Sequence, residues 1–136
     1  MIKKDEWLRV KGPVSNIKEI KEISNNGTLL GELGHPDTFD VHLSNVSHRI
    51  SNIQERNNKL YADIKILDTP KGNILKNIII VDKSISFNAR GTGNVDSNGN
   101  ITDFKVFSFD AVPYIPTIIE ERKDKLNKIL KRMNDK

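Results

Sequence analysis

The segment from Val46 to Leu67 constrains the fold of this chain more than any other. Residues Val46–Ile53 and Lys59–Leu67 are short, apolar-rich runs of the kind that form strands. The second run carries an apolar residue at every other position: Leu60, Ala62, Ile64 and Ile66. The polar stretch Arg56–Lys59 between the runs supplies a turn. The segment therefore predicts an antiparallel hairpin with one buried face.

Three further elements are predicted on either side of this hairpin. Glu6–Lys11 alternates well enough for a strand. Isoleucines at 17, 20 and 23 indicate a short amphipathic helix that begins after a Ser15 cap and ends at about Ser24. Asn73–Val81 is apolar almost throughout, so its pattern fits a helix or a buried strand.

The last third of the chain predicts a second pair of strands. Ser84–Ala89 reads as a short strand that Gly91 and Gly93 break, and Ile101–Asp110 reads as a strand rich in Phe and Val. An Asn-Gly pair at the centre of residues 96–100 is a strong turn signal between them. Together, the predicted strands and helices indicate an α+β fold, with a curved or barrel-like antiparallel sheet and two or three helices.

The length and the charge distribution bound the organisation of the chain. Its 136 residues suit one core, which we place in a single domain over residues 1–116. Seven Lys or Arg against two Asp lie between Arg122 and Lys136, in a chain whose net charge is +4. The basicity thus belongs to an amphipathic C-terminal helix predicted over 117–136, and nucleic acid is not an expected partner. No apolar run is long enough to span a membrane.

His35 is the leading candidate for a general base. It ends a short apolar run, with Gly34 before it and Pro36 after it, and a histidine titrates near neutral pH. A lone histidine in a loop is more often simply exposed. His42 and His48 are the rival bases. The chain has no cysteine and no metal-binding histidine spacing, so neither a metal nor a cofactor is expected.

Ser86 and Asp110 are candidates for the partners of this base. Ser86 lies near the end of a predicted strand that runs into Arg90 and Gly91, where backbone N–H groups can converge on an oxyanion. The plainer reading is that the glycines only make a tight turn. Asp110 ends an apolar strand, where a carboxylate is costly unless it is partnered. A histidine, an arginine or a helix N-terminus would partner it.

The combination of these motifs resembles the prohead core protease family of tailed phages, most closely its T4-type members. This family is related in fold to the herpesvirus capsid-maturation protease. The resemblance covers about Gly31–Pro116. The motifs that carry it are Gly31-Glu32-Leu33-Gly34-His35-Pro36, Ile66-Leu67-Asp68-Thr69-Pro70-x-Gly72, Ile85-Ser86 with Arg90-Gly91-x-Gly93, and Asp110-Ala111-Val112.

The resemblance implies a herpesvirus-protease-like fold and a serine protease that cleaves scaffold and major capsid proteins. Such a protease would act in the prohead interior, in the host cytoplasm, and would form homo-oligomers. The family tends to cleave after Glu in an aliphatic-x-Glu context. His35 falls on the base, and Asp110 aligns with an acidic position of T4-type members.

The nucleophile departs from the family pattern. T4-type members carry Ser-Ser-Arg-Gly-x-Gly, and an ungapped match puts Asn88 and Ala89 at the two serines. Other phage proteases have a Ser-x-Gly-aromatic-Arg pattern, which makes Ser86 the nucleophile and puts Asn88 in the glycine position. We prefer Ser86. A catalytically inactive, protease-fold capsid- or scaffold-binding module is the alternative.

Overall fold

The computed structural model describes residues 1–81 and 84–114, and the predicted hairpin is its central feature. Strand β3 spans Val46–Arg56 and strand β4 spans Lys59–Ile66, paired antiparallel. Asn57 and Asn58 connect them with φ values of 52° and 63°. Two consecutive positive φ angles make the tight two-residue turn whose twist matches that of the strands, and Asn tolerates this conformation.

Within residues 1–81 and 84–114, six strands form one nearly closed sheet and two helices pack against it. In chain order the other elements are β1 (Ile2–Arg9), α1 (Ile17–Asn25), β2 (Leu30–Glu32), α2 (Pro70–Val81), β5 (Ile85–Val95) and β6 (Ile101–Pro113), with a 3₁₀ turn at Leu43–Asn45. The strand order is β2-β3-β4-β1-β5-β6. All pairs are antiparallel except β1 and β5, which run parallel. The predicted α+β, barrel-like fold is confirmed, with a mixed sheet.

The barrel closes where β2 meets β6. Leu33 forms a parallel bridge with Ala111, and the Gly34 N–H donates to the Ala111 carbonyl at 2.7 Å. This bond places the loop that follows β2 directly beside the end of β6. His35 follows Gly34 in that loop, and Asp110 precedes the bridged Ala111, so barrel closure brings the two candidates together.

Strand β5 continues through the glycines that were expected to end it. Arg90 pairs with Ser108 but Gly91 pairs with Val106, so the register shifts between them. Pairing then continues as far as Val95. A Cβ on Gly91 would lie 2.0 Å from the Lys105 carbonyl oxygen. Gly91 is therefore needed because the two strands approach closely at a bulge, and the prediction of a break there was wrong.

The other elements follow the predicted pattern with shifted ends. Strand β1 starts four residues before the predicted Glu6 and ends at Arg9. Asn16 precedes α1 in place of the expected Ser15, and its side chain bonds both backbone groups of Val106. The undecided segment 73–81 is helical, in α2, where the Thr69 hydroxyl accepts from the Gly72 N–H.

The core lies inside the barrel, under the two helices. Its largest fully buried apolar side chains are Phe87, Phe109, Leu8, Ile20, Ile50, Ile64 and Leu75. No helix among the described residues is long and apolar enough to cross a membrane. The predicted C-terminal helix over 117–136 lies outside the described residues.

Candidate active site

His35 and Asp110 form a hydrogen-bonded pair at the point where the barrel closes. The His35 Nδ1 lies 2.8 Å from the Asp110 Oδ2. The Asp110 side chain is wholly buried, whereas 41% of the His35 side chain is exposed. An ionised carboxylate only accepts hydrogen bonds, so Nδ1 carries the proton and Nε2 is left to accept one. This is the tautomer that a general base needs.

Asp110 also lies against Glu32 and Arg90. Its Oδ1 accepts from the backbone N–H of Glu32 at 3.1 Å and from Arg90 Nη2 at 3.2 Å. Its Oδ2 lies 3.0 Å from Arg90 Nε. Burial of a carboxylate is costly unless donors such as these surround it. These contacts hold the Asp110 carboxylate in place beside His35.

The side chain of Arg90 joins Asp110 to the loop that carries His35. Its Nη1 lies 3.2, 3.2 and 2.9 Å from the carbonyl oxygens of Thr38, Phe39 and Asp40, to which it donates. Its Nη2 lies 3.0 Å from Glu32 Oε2, and only 5% of the side chain is exposed. The rigid fork of a guanidinium suits such many-sided binding. The sequence suggested only an oxyanion role around Arg90, so this structural role was missed.

Glu32 is a second buried carboxylate of the site. It has no exposed surface, and its Oε1 lies 3.2 Å from Asn45 Nδ2 and 3.3 Å from His42 Nδ1. Sequence reasoning did not single it out. The signal was present, because Glu32 lies in an apolar run just as Asp110 does, and a carboxylate there requires partners.

Ser86 and Asn88 lie on the same sheet surface as Asp110. Asn88 is directly opposite Asp110 in the β5–β6 register, and Ser86 is two residues further along β5. The Ser86 hydroxyl donates to Asn88 Oδ1 at 2.6 Å. Within residues 1–81 and 84–114, no hydrogen bond is found between His35 and either of these side chains. Asn88 therefore stands between Ser86 and the position of Asp110.

The cavity beside His35 contains the other predicted residues. It has a volume of about 230 Å³ and is lined by Lys11, His35, Pro36, Ala89, Arg90, Gly91 and Phe104. Ala89 and the oxyanion candidates Arg90 and Gly91 thus share a cavity with the base. Ser86 lines a separate depression of about 280 Å³ with Trp7, Arg9 and Tyr114.

The two rival histidines are placed differently from His35. His48 is completely buried, and its Nε2 donates to the Phe109 carbonyl at 2.8 Å while its Nδ1 accepts from the Ser47 hydroxyl at 2.8 Å. Burial lowers the pKa of His48 to about 4, although the Phe109 carbonyl and the Asp110 charge oppose the shift. His42 is half-exposed and contacts Glu32. Neither contacts Asp110 through a hydrogen bond among the described residues.

The fold and the site together define an α+β barrel with an exposed histidine bonded to a buried aspartate. A solved structure of the bacteriophage T4 capsid assembly protease, gp21, has this same fold. It is 24% identical in sequence, with a TM-score of 0.62 over 76% of this chain and 71% of that chain. No family model matches the chain, and no curated protein matches it. The likeness establishes a phage capsid protease-like fold.

Proposed function

We propose that the chain is a serine endopeptidase of phage prohead maturation, which cleaves scaffold and capsid proteins inside the immature shell. The observation that carries this proposal is the 2.8 Å bond from His35 Nδ1 to the buried Asp110, which leaves Nε2 as the proton acceptor of a side chain that is 41% exposed. The shared fold with a capsid assembly protease supports it. The site of action would be the prohead interior, in the cytoplasm of the host.

In the proposed mechanism, His35 and Ser86 act on the peptide carbonyl. The Ser86 hydroxyl exchanges Asn88 for His35 Nε2, which takes its proton as the Oγ–C bond forms. N–H groups at Arg90 and Gly91 hold the oxyanion, and Asp110 stabilises the imidazolium. The C–N bond then breaks, and His35 returns the proton to the leaving amine. Water, activated by the same histidine, releases the acyl group from Ser86.

The test is cleavage of fluorogenic aliphatic-x-Glu peptides and of phage scaffold protein by single-residue variants. We expect His35→Ala and Ser86→Ala each to abolish cleavage. Asp110→Asn should be less severe than either, because its role is to orient and stabilise the base. Ser97→Ala, in the exposed β5–β6 turn, is the matched control and should cleave at the wild-type rate. If Ser86→Ala retains wild-type cleavage, Ser86 is not the nucleophile.

The second candidate function is a catalytically inactive module that binds capsid or scaffold protein. Two observations favour it: Asn88 is the residue opposite Asp110, and the cavity beside His35 is lined by residues without a hydroxyl group. Such a module would bind scaffold protein without cleaving it and would not react with a fluorophosphonate probe. Asn88→Ser would place a hydroxyl opposite Asp110. Cleavage gained by this variant alone would show that the His35–Asp110 pair is competent and that the natural chain lacks its nucleophile.

A further inference from the structure

Helix α2 has an apolar stripe that faces away from the core. Leu75 and Ile79 are buried against the sheet, but Ile74, Ile78 and Val81 are 46%, 37% and 85% exposed. Their spacing of four and three residues places the three side chains on one face. With Asn77 they line a shallow depression of about 420 Å³. A row of exposed aliphatic side chains at helical spacing is typical of a surface that another element covers.

The described chain ends close to this stripe. The Tyr114 N–H donates to the Ser84 carbonyl at 2.8 Å, and the Arg9 guanidinium lies 4.5 Å from the centre of the Tyr114 ring. Ser84 follows Val81, the last residue of α2, by three positions. Three residues span at most about 10 Å. With the Ser84–Tyr114 hydrogen bond added, the chain after Tyr114 starts within about 15 Å of the exposed end of α2.

The sequence that follows has a matching pattern. Residues 115–136 carry apolar side chains at 115, 118, 119, 126, 129, 130 and 133, which is the three-and-four spacing of one helix face. Charged residues fill most of the remaining positions. A helix over 117–133 would be about 25 Å long. This length exceeds the stripe, which spans two helical turns.

We propose that the C-terminal segment 115–136 covers the α2 stripe formed by Ile74, Ile78 and Val81, with its apolar face against the stripe and its basic face towards solvent. The stripe contains no charged residue, so the positive charges of the segment meet no like charge there. A tethered partner also acts at an effective concentration in the millimolar range. This favours the segment over a second copy of the chain. The inference is independent of the proposed protease activity.

The absence of cysteine from the sequence allows a clean cross-linking test in the full-length chain. Two double variants, Ile78→Cys/Ile119→Cys and Ile74→Cys/Leu126→Cys, are oxidised mildly at low protein concentration. We expect an intrachain disulfide in at least one of them, seen as a faster band on a non-reducing gel. Lys76→Cys/Ile119→Cys is the matched control, because Lys76 lies about 160° around the helix from Ile78. It should not cross-link.

Two outcomes would overturn the proposal. One is the lack of an intrachain disulfide in both pairs. The other is a disulfide-linked dimer formed by Ile78→Cys alone, which would show that a second copy covers the stripe. Thermal unfolding gives a separate measurement: Ile78→Ser should lower the Tm by about 4 °C if the stripe is covered. Lys76→Ser should leave it unchanged, and an equal effect of both substitutions would count against a covered stripe.

Discussion

At the scale of single residues, Arg90 connects the parts of the site that come from distant points of the chain. Its guanidinium contacts Glu32 from β2, Asp110 from β6 and three carbonyls of the loop after His35. Two buried carboxylates share this one cation. Without it, each of these buried carboxylates would keep its neutral donors but lose its cationic partner, which is costly in a folded protein.

Arg90→Met should therefore destabilise the fold by about 3–5 kcal/mol, the usual cost of removing one partner of a buried ion pair. Urea unfolding followed by circular dichroism measures it. Arg56→Met is the matched control, since Arg56 pairs with Asp5 on the surface, where 46% and 62% of the two side chains are exposed. That substitution should cost at most about 1 kcal/mol. Equal costs for the two variants would contradict the structural role of Arg90.

His48 predicts a pH dependence of stability. Its pKa is lowered from 6.5 to about 4 in the folded state, so the unfolded chain binds a proton first as the pH falls. Stability is then fully present above pH 6.5 and declines towards pH 4, by about 3 kcal/mol in total. His48→Gln keeps a donor for the Phe109 carbonyl but does not titrate. Its unfolding free energy should fall less steeply between pH 6.5 and 4 than that of the wild type.

The control for this comparison is His42→Gln, which removes a histidine that is half-exposed. We expect its pH profile to parallel that of the wild type. A His48→Gln profile as steep as the wild-type profile would show that His48 is not the titrating group.

At the scale of elements, the sequence predicted those structures whose causes are local. The prediction of the β3–β4 hairpin was correct because the alternating apolar residues and the turn residues both lie within Val46–Ile66. Segment 73–81 stayed undecided because α2 is apolar on its exposed face as well as its buried face, which hides the helical period. The run of β5 through Gly91 was missed because its cause is the approach of Lys105, which is distant in sequence.

The residues of the candidate site also fall into two groups: those that a local sequence pattern indicates and those whose positions depend on tertiary contacts. Asp110 was found because a carboxylate in an apolar strand needs a partner whatever the fold. The contacts of Arg90 with the carbonyls of residues 38–40 depend on how β2 closes against β6, and no local pattern encodes that. The place of Asn88 opposite Asp110 depends on the β5–β6 register, which a bulge shifts.

Gly31 in strand β2 offers a test of whether the site depends on the close packing of β2 against β3 and β6. A Cβ on Gly31 would lie 2.1 Å from His48 Nε2 and 2.3 Å from the Phe109 carbonyl oxygen, which are bonded to one another. Gly31→Ala must displace that bond, and overpacking of this kind costs about 1–3 kcal/mol. Chemical denaturation measures the loss.

Gly99→Asn is the control for Gly31→Ala. Gly99 has a φ of +81° and no heavy atom within 4 Å of the position of an added Cβ. Asn tolerates this conformation, so the substitution should cost a few tenths of a kcal/mol. Should Gly31→Ala be as mild as Gly99→Asn, the close approach of β2, β3 and β6 would be wrong.

At the scale of the whole molecule, β1 holds the barrel together. It pairs with β4 on one side and with β5 on the other, and so joins the group β2-β3-β4 to the hairpin β5-β6. The two groups also meet where Gly34 bonds Ala111. His35 comes from the first group, and Ser86, Arg90 and Asp110 come from the second. The site therefore exists only when both groups are assembled.

This arrangement predicts that the barrel unfolds as one unit and that Leu8 supports both halves. Leu8 is fully buried in β1, opposite Leu60 of β4 and Phe87 of β5. Leu8→Ala should lower stability by about 2–5 kcal/mol, the usual cost of such a cavity.

Native-state hydrogen exchange should show equal losses of protection for the Ile64 amide in β4 and the Phe109 amide in β6, because both open only by global unfolding. The fluorescence of Trp7, the single tryptophan, should change in the same transition as the circular dichroism signal. Substituting Ile2, which is 57% exposed in the same strand, with Ala should change little. A loss of protection confined to Ile64 or to Phe109 in Leu8→Ala would show instead that the two strand groups fold independently.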